Sequence, residues 1–127
     1  MKTLWVAALS IILIIVIAAV SFGFFAKTEK YGEAIANRNL TAVKDILADP
    51  KAWEGKLVTI EGKIANECST GCWFYVQVGS GNLTIYVDTG NSGFAIPQKV
   101  GKKILVEGKV VIKKTGPMIQ ARGLEIK

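Results

Sequence analysis

Hydrophobic residues follow one pattern near the start of the chain and a different pattern afterwards. Residues 4–25 are 22 consecutive positions without a charge, with only Ser10 and Ser21 as polar interruptions. At about 1.5 Å of rise per residue, a helix of this length crosses the ~30 Å hydrocarbon core of a bilayer. The run is also longer than the roughly 7–15 apolar residues of a cleaved signal peptide, although Ala19-Val20-Ser21 offers a cleavage site. We therefore expect residues 1–26 to form a transmembrane signal-anchor helix.

The charges beside this segment say little about its orientation. Lys2 precedes it, and Lys27 and Lys30 follow it, so the positive-inside rule hardly discriminates between the two orientations. A very short N-terminal tail before the span and a whole domain after it favour a cytoplasmic N terminus. The expected location is the cytoplasmic membrane, with a single pass and the C-terminal domain on the extracytoplasmic (periplasmic) side.

The next part of the chain is polar and then becomes helical in its spacing. Residues 27–39 are interpreted as a linker, helical in part. Apolar residues then recur at helical intervals, which predicts a short helix, at Leu40, Val43, Ile46 and Leu47. Asn39 or Thr41 is expected to cap its N terminus, and Pro50 is expected to end it or to open a second turn after Asp49.

From Lys56 onward the hydrophobic period changes from helical to two, which is typical of β-strands. Gly79–Asn82 separates two of these runs and is a strong hairpin signal, and Thr115-Gly116-Pro117 predicts a turn. The five predicted strands are Leu57–Ile64, Trp73–Val78, Leu83–Asp88, Lys103–Lys113 and Met118–Ile126. Their order, with an irregular connection over residues 89–101, fits a small Greek-key barrel.

Two of these strands repeat one short pattern. Residues 55–64 (GKLVTIEGKI) are similar to residues 101–110 (GKKILVEGKV), and both contain Glu-Gly-Lys after an apolar run. A glycine at this place suits a bulge or a tight bend that lets a long strand curl around a barrel. The repeat is therefore interpreted as barrel geometry and not as a functional site.

A leading helix followed by this repeated motif resembles the OB-fold domains of the tRNA-anticodon-binding-like superfamily, in particular its extracytoplasmic bacterial and archaeal members. The resemblance covers roughly residues 40–127. The segment Cys68-Ser69-Thr70-Gly71-Cys72-Trp73 is similar to a Cys…Gly-Cys-Trp motif in one poorly characterised family of such domains. The resemblance implies a mainly β fold, a five-stranded OB-fold barrel preceded by a short helix. The transmembrane helix expected from residues 4–25 would precede both. The resemblance also implies an extracytoplasmic compartment and no particular activity.

The hairpin predicts which side chains point away from the barrel. If Gly79–Asn82 forms its loop, Val78 lies opposite Leu83, and the side chains alternate between the two faces. The interior set is Phe74, Val76, Val78, Leu83, Ile85 and Val87; the exterior set is Trp73, Tyr75, Gln77, Thr84 and Tyr86. OB-folds bind ligands on this face, so the exterior set is the candidate partner-binding or ligand-binding surface. An ordinary cross-strand aromatic pair is the alternative interpretation.

The two cysteines, Cys68 and Cys72, lie in the loop between the first two predicted barrel strands. Outside the cytoplasm a structural disulfide is the expected state. Such a short loop gains little entropic stabilisation and is more easily reduced, which leaves a redox role open. Two thiolates can also hold copper or another thiophilic metal, with Met118 as a third soft ligand if the fold brings it near. Free thiols are the fourth possibility.

Composition excludes several classes of chemistry. The chain has no histidine, which removes Ser-His-Asp and Cys-His catalysis and His-ligated zinc. The carboxylates form no convincing pair by their spacing, and no phosphate-binding glycine loop precedes a helix. We therefore expect a protein that is not an enzyme and that needs no cofactor.

The net charge of +6 on an OB-fold with exposed aromatics would ordinarily suggest single-stranded nucleic acid. A domain outside the membrane rarely meets nucleic acid, so that partner is not expected. The favoured hypothesis is a membrane-anchored extracytoplasmic binding module, a non-catalytic accessory or assembly subunit of a larger membrane protein complex. It would bind the membrane through residues 4–25 and a protein partner through Trp73, Tyr75 and Tyr86. The alternatives are a soft-metal or thiol–disulfide protein using Cys68 and Cys72, and an oligonucleotide- or oligosaccharide-binding module.

Overall fold

The computed structural model describes residues 28–79 and 81–127, and the predicted transmembrane segment lies outside them. No helix within the described ranges has the length and apolar character needed to span a bilayer. In chain order, these ranges contain β1 (Glu29–Gly32), α1 (Val43–Ala48), α2 (Pro50–Trp53), β2 (Leu57–Glu67), β3 (Trp73–Val78), β4 (Leu83–Asp88), a short 3-10 helix (Gly90–Ser92), β5 (Lys103–Lys113) and β6 (Gly116–Ile126).

Strands β2 to β6 close into a five-stranded barrel. Each is hydrogen-bonded to two others in the circular order β2-β3-β4-β6-β5, and β5 returns to β2. All of these pairs are antiparallel except β4 with β6, which run parallel. A five-stranded Greek-key barrel with this pairing is OB-like. The predicted mainly β architecture is therefore confirmed for the described part of the chain.

The barrel interior is filled by the alternate residues of the strands. Phe74, Val76 and Val87 are fully buried, because each points inward in the register that the hairpin imposes. Helix α1 adds Val43 and Ile46 to the same core cluster. The short helix is thus held in place by burial of its apolar side and not by its own length, since isolated helices of this size are unstable in water.

The repeated Glu-Gly-Lys motif marks two equivalent close approaches between strands. A β-carbon on Gly62 would overlap the carbonyl oxygen of Gln77, and one on Gly108 would overlap that of Gln120. The pairing register also shifts between Glu107 and Gly108, where β6 carries one extra residue. A bulge is therefore present opposite Gly108, whereas the register shift in β2 lies beyond Gly62, between Ile64 and Asn66. At both glycines, the lack of space for a β-carbon requires glycine.

The linker predicted over residues 27–39 contains a strand. β1 pairs antiparallel with residues 123–126 of β6, whereas β4 uses only residues 118–120 of that strand. β1 thus occupies the part of the β6 edge that the barrel leaves free. The sequence did not reveal it because its residues are polar and an edge strand needs no apolar face on its solvent side.

Residues 33–41, here called the N-terminal strap, continue from β1 along the outside of the barrel. The strap's path is set by Glu107, whose side chain is only 1% exposed. Its Oε2 accepts the backbone N–H groups of Ala36 and Asn37, each at 3.0 Å, and its Oε1 accepts the guanidinium of Arg122. A buried carboxylate needs such partners, because an unpaired buried charge is strongly destabilising.

Contacts with Thr59 and with Glu125 also fasten the strap. The hydroxyl of Thr59 donates to the carbonyl of Asn37 at 2.6 Å, and the backbone N–H of Thr41 donates to the carbonyl of Thr59 at 2.8 Å. Arg38 makes a two-pronged contact with Glu125, at 2.5 and 3.3 Å. The strap is therefore bonded to β2, β5 and β6 together.

These contacts explain why the predicted helix start is wrong. Neither Asn39 nor Thr41 caps α1; the N-cap residue is Ala42, which makes no side-chain capping bond. Thr41 is held in an extended segment by its bond to Thr59, and Leu40 is 57% exposed. The expected second turn at Pro50 is present as α2, with Asp49 at its N-cap position but without a side-chain capping bond.

Two strand boundaries also differ from the prediction. β2 continues three residues beyond Ile64, and β6 begins at Gly116. Lys113 pairs with Gly116, so the turn consists of Lys114 and Thr115 and not of residues 115–117. Gly116 has a positive φ of 123°, a conformation that glycine adopts readily at the exit of a tight turn.

Replacing Gly108 by alanine should destabilise the barrel by about 1–3 kcal/mol, because the new methyl group must displace the β6 backbone. Gly81→Ala is the matched control, since no atom lies within 4 Å of a β-carbon at that position, and its effect should stay within about 0.5 kcal/mol. Urea unfolding followed by intrinsic fluorescence measures both values. Equal effects of the two substitutions would contradict the close approach.

Glu107→Gln should lower the free energy of unfolding by about 3 kcal/mol at neutral pH, because it breaks a buried charged contact. Burial raises the pKa of Glu107, but the Asn37 and Ala36 amides and Arg122 outweigh this and hold the pKa below the ordinary 4.5. A carboxyl with a lowered pKa stabilises the fold above its unfolded pKa and ceases to do so as the pH falls through its folded pKa.

The stability difference between wild type and Glu107→Gln should therefore be constant at neutral pH and shrink in acid, below about pH 4.5. Denaturant unfolding at a series of pH values measures it. Glu33→Gln, which alters the exposed partner of Arg122, is the control and should cost under about 1 kcal/mol. A difference that does not vary with pH would contradict the role given to the charge.

Candidate functional site

The β3–β4 hairpin has the register that the sequence predicts. Trp73 lies opposite Asp88, Tyr75 opposite Tyr86, and Val78 opposite Leu83. The interior set is buried or half-buried. Of the exterior set, Tyr75 and Thr84 are exposed, and the other three, Trp73, Gln77 and Tyr86, are half-buried.

Three exterior aromatic side chains pack against one another and are here called the aromatic face: Trp73, Tyr75 and Tyr86. The rings of Trp73 and Tyr86 are stacked, with centroids 5.8 Å apart and planes inclined by 24°. Tyr75 meets Trp73 edge-on at 5.9 Å and Tyr86 edge-on at 5.4 Å. Such pairs contribute about 0.5–1.5 kcal/mol each beyond their burial. The face is therefore a preorganised apolar surface on the barrel exterior.

A cleft of about 550 Å³ lies beside this face, between Tyr75 and Tyr86 on one side and the β5–β6 turn on the other. Lys113, Thr115 and Pro117 line its far wall, and Met118 lies beside Tyr86 on the neighbouring strand. OB-folds bind their ligands on the face formed by the second and third strands of the barrel and in the loops that flank it. Here those two strands are β3 and β4. The aromatic face and the cleft occupy that position.

Gln77 and Thr84, the remaining exterior residues, lie opposite one another nearer the hairpin turn. The side-chain amide of Gln77 donates to the carbonyl of Gly81 at 2.8 Å. This bond ties Gln77 to the turn, while Thr84 lines the cleft. Gln77 therefore has a local structural partner, and Thr84 belongs to the candidate binding surface.

Cys68 and Cys72 lie in the β2–β3 connection, adjacent to Trp73. Both are half-buried free thiols, and the S–H of Cys72 donates to Sγ of Cys68 at 2.8 Å. The hydroxyl of Thr70 lies between them, 3.2 Å from the Cys68 sulfur and 3.4 Å from the Cys72 sulfur. The sequence predicted the pair but gave no signal for Thr70.

The backbone of this connection, residues 68–72, here called the cysteine loop, is held from outside by residues that the sequence analysis missed. The carbonyl of Gly71 accepts the hydroxyl of Thr89 at 2.8 Å and the N–H of Ile96 at 3.2 Å. The carbonyl of Cys72 accepts the N–H groups of Thr89 and Gly90, both at 3.0 Å. Thr89 is completely buried in this role. A single threonine after a strand is not a recognisable sequence pattern, so the role could not be predicted.

Gln98 fastens the other side of the cysteine loop. Its amide nitrogen donates to the carbonyl of Cys68 at 2.8 Å and to a Glu67 carboxylate oxygen at 3.1 Å. Glu67 in turn accepts the backbone N–H of Lys99 at 2.9 Å. The irregular connection after β4 therefore braces the loop that carries the two thiols.

The two thiols and the aromatic face influence one another electrostatically. Hydrogen bonds from Cys72 and Thr70 lower the pKa of Cys68 from 9.0 to about 6. Burial raises the pKa of Tyr86, and the nearby Asp88 carboxylate and the thiols raise it further. Above about pH 6, Cys68 is therefore present mostly as the thiolate, which is the reactive form of cysteine.

The soft-metal interpretation has two donors at hand in this loop. Within residues 28–79 and 81–127, no cluster of three or more Cys, Asp or Glu side chains is arranged to hold a metal ion. Met118, predicted as a third soft ligand, lines the cleft beside Tyr86. The two thiols could supply a two-coordinate site, a geometry that suits soft ions such as Cu(I).

The chain matches no protein-family model and no curated protein. Among solved structures it is similar to that of the hypothetical protein ygiW from E. coli, with 19% sequence identity and a TM-score of 0.51. The similarity covers 76% of this chain and 99% of that chain. It supports the OB-like barrel fold. The superfamily and the Cys…Gly-Cys-Trp family suggested by the sequence remain predictions.

Alkylation of Cys68 by iodoacetamide should increase with pH around a midpoint near 6, because only the thiolate reacts. Cys72→Ala and Thr70→Val remove the two hydrogen-bond partners, and each should move the midpoint toward the ordinary value of 9.0. Peptide mass spectrometry after short labelling times measures the rate at each pH. A wild-type midpoint above 8 would contradict the stabilised thiolate.

Proposed function

We propose that this chain is a non-catalytic binding module, tethered to the membrane, whose barrel docks onto a protein partner through the aromatic face. The observation that carries the proposal is the packed cluster of Trp73, Tyr75 and Tyr86 on the exterior of an OB-like barrel. Aromatic residues dominate the energetic centres of protein interfaces, because they contribute large contact areas at low entropic cost.

The packing of the rings favours a protein partner over a nucleic acid. Bases bind OB-folds by stacking on free ring faces, and here one face of the Trp73 ring and one face of the Tyr86 ring are already turned toward each other. Tyr75 is the most exposed of the three rings, and Lys113 lines the adjoining cleft. An apolar centre with a polar and charged border is the arrangement typical of protein interfaces.

The environment of the buried carboxylates supports a non-catalytic role. Glu107 and Glu125 are bonded to the N-terminal strap. Asp88 accepts the N–H of Gly90 at 3.0 Å and the side-chain amide of Asn91 at 2.6 Å. Each of these groups therefore has a structural task.

The tether rests on the 22 uncharged residues at positions 4–25, which are long enough to cross a bilayer. In this proposal the span keeps the barrel at the extracytoplasmic surface. Only residues 26–28 separate the span from β1, the strand that pairs with β6, since β1 begins at Glu29. A short connection of this kind would keep the barrel close to a partner in the same membrane.

A photo-crosslinking amino acid at position 75 should capture one partner of defined mass in native membranes, because Tyr75 is the most exposed ring of the face. The same amino acid at Leu57, which is 51% exposed, is the matched control and should capture little. Combining the Tyr75 probe with Trp73→Ala and Tyr86→Ala should reduce the crosslink at least about tenfold.

Equal crosslinking from positions 75 and 57 would contradict docking through the aromatic face. Washing the membranes with alkaline carbonate tests the tether separately. Full-length protein should stay with the membrane pellet, whereas release of the barrel into the wash would contradict anchoring by residues 4–25.

A further inference from the structure

We propose that Cys68 and Cys72 form a reversible dithiol–disulfide site that exchanges with the disulfide bond of a peptide or small thiol compound. The proposal concerns the cysteine loop and does not depend on docking through the aromatic face. It rests on the separation of the two sulfurs, on the bracing of the loop, and on the unequal surroundings of the two thiols.

The sulfurs are close enough to bond without rearrangement of the chain. They lie 2.8 Å apart, and a covalent S–S bond is about 2.05 Å long, so small side-chain rotations bring them together. Both residues are half-buried, which leaves the pair open to a reactant. The neighbouring Ser69 and Thr70 are exposed, so the loop that carries the sulfurs faces solvent.

The loop does not need a disulfide in order to stay folded. Its two ends are already joined, because the N–H of Cys68 donates to the carbonyl of Trp73 at 2.9 Å and Glu67 pairs with Phe74. Thr89, Ile96 and Gln98 hold its carbonyl groups from outside. None of these bonds involves a sulfur atom, so the same backbone serves both oxidation states.

This bracing also decides between a structural staple and a labile bond. A disulfide stabilises a fold mainly by restricting the unfolded chain, and the effect grows with the number of residues enclosed. The ring here encloses only Ser69, Thr70 and Gly71, so the stabilisation is small. If a disulfide stabilises the fold only slightly, folding does little to oppose its reduction. This pair is therefore reversible.

The surroundings of the two sulfurs are unequal and assign their roles. The Thr70 hydroxyl lies near both sulfurs, 3.2 Å from Sγ of Cys68 and 3.4 Å from Sγ of Cys72, to which it donates. Only Sγ of Cys68 also accepts the S–H of the other cysteine, so negative charge is better supported on Cys68. Cys68 is therefore the attacking thiolate. Cys72, at 2.8 Å, is the resolving thiol.

The exchange then balances in two steps. The Cys68 thiolate attacks one sulfur of the external disulfide, forms a mixed disulfide and releases one thiol. The Cys72 thiol then loses its proton to solvent, and the resulting thiolate attacks Sγ of Cys68 and displaces the second external sulfur as a thiolate, which takes up a proton from solvent. The protein dithiol is oxidised to the disulfide, and the external disulfide is reduced to two thiols.

The test uses the full-length protein in detergent, equilibrated anaerobically with mixtures of reduced and oxidised glutathione. After acid quenching and alkylation, intact mass gives the oxidised fraction. That fraction should change from about a tenth to about nine tenths over a roughly 80-fold change in the ratio of oxidised glutathione to the square of the reduced form. Approach from either side should give the same curve.

Two results of this titration would overturn the proposal. Protein that stays oxidised in a large excess of reduced glutathione contains a structural staple. Protein that stays reduced in fully oxidised glutathione contains inert thiols. Protein purified from native membranes with both thiols reduced and one equivalent of copper bound would also overturn it, because the pair would then be a metal site.

Single-cysteine variants test the assignment of roles. Cys72→Ser should accumulate the mixed disulfide with glutathione on Cys68, at a rate at least tenfold above that of Cys68→Ser, which presents only Cys72. Thr70→Val should slow the reaction of Cys68, and the matched control Thr70→Ser, which keeps the hydroxyl, should retain the wild-type rate. Equal rates for the two single-cysteine variants would contradict the unequal pair.

Discussion

The buried carboxylate of Glu107 connects the N-terminal strap to the barrel, and the course of the chain from β1 to α1 depends on it. A charge with 1% exposure must be matched by donors, because burying it alone costs far more than folding can offset. Two of its donors are backbone N–H groups of the strap, at Ala36 and Asn37. The hydrogen bonds to Glu107 therefore fix where the strap crosses β5. The strap in turn positions α1 so that Val43 and Ile46 pack in the core.

Local patterns predicted most of the barrel. Alternation of apolar residues identified the strands, and the Gly79–Asn82 signal gave the complete β3–β4 register, because both depend on residues close in sequence. β1 was missed because its partner strand lies about 95 residues further on. The N-cap of α1 was misassigned for a similar reason, since the bond from Thr41 to Thr59 leaves no trace in the local pattern.

The candidate site shows the same division. Trp73, Tyr75 and Tyr86 could be placed on one face by counting along the hairpin, and the two thiols could be identified from their spacing. Thr89 and Gln98 could not, because they act on the cysteine loop through backbone carbonyl groups. Any uncharged hydrogen-bond donor in a connecting segment resembles them in sequence. The rigidity of the site thus depends on tertiary contacts that the sequence does not reveal. The reactive and aromatic residues of the site can be recognised from the sequence.

The pairing of β1 with the last strand has a consequence for synthesis on the ribosome. Glu29 emerges early, but its partner Ile126 emerges about 97 residues later. The β3–β4 and β5–β6 hairpins connect neighbouring segments and can form as they appear, whereas contacts of high sequence separation form slowly. The N–H groups of Ala36 and Asn37, which donate to Glu107 in the folded protein, therefore remain exposed to solvent until β5 and β6 have been translated. An early polar strand, with few apolar side chains to aggregate, is well suited to this delay.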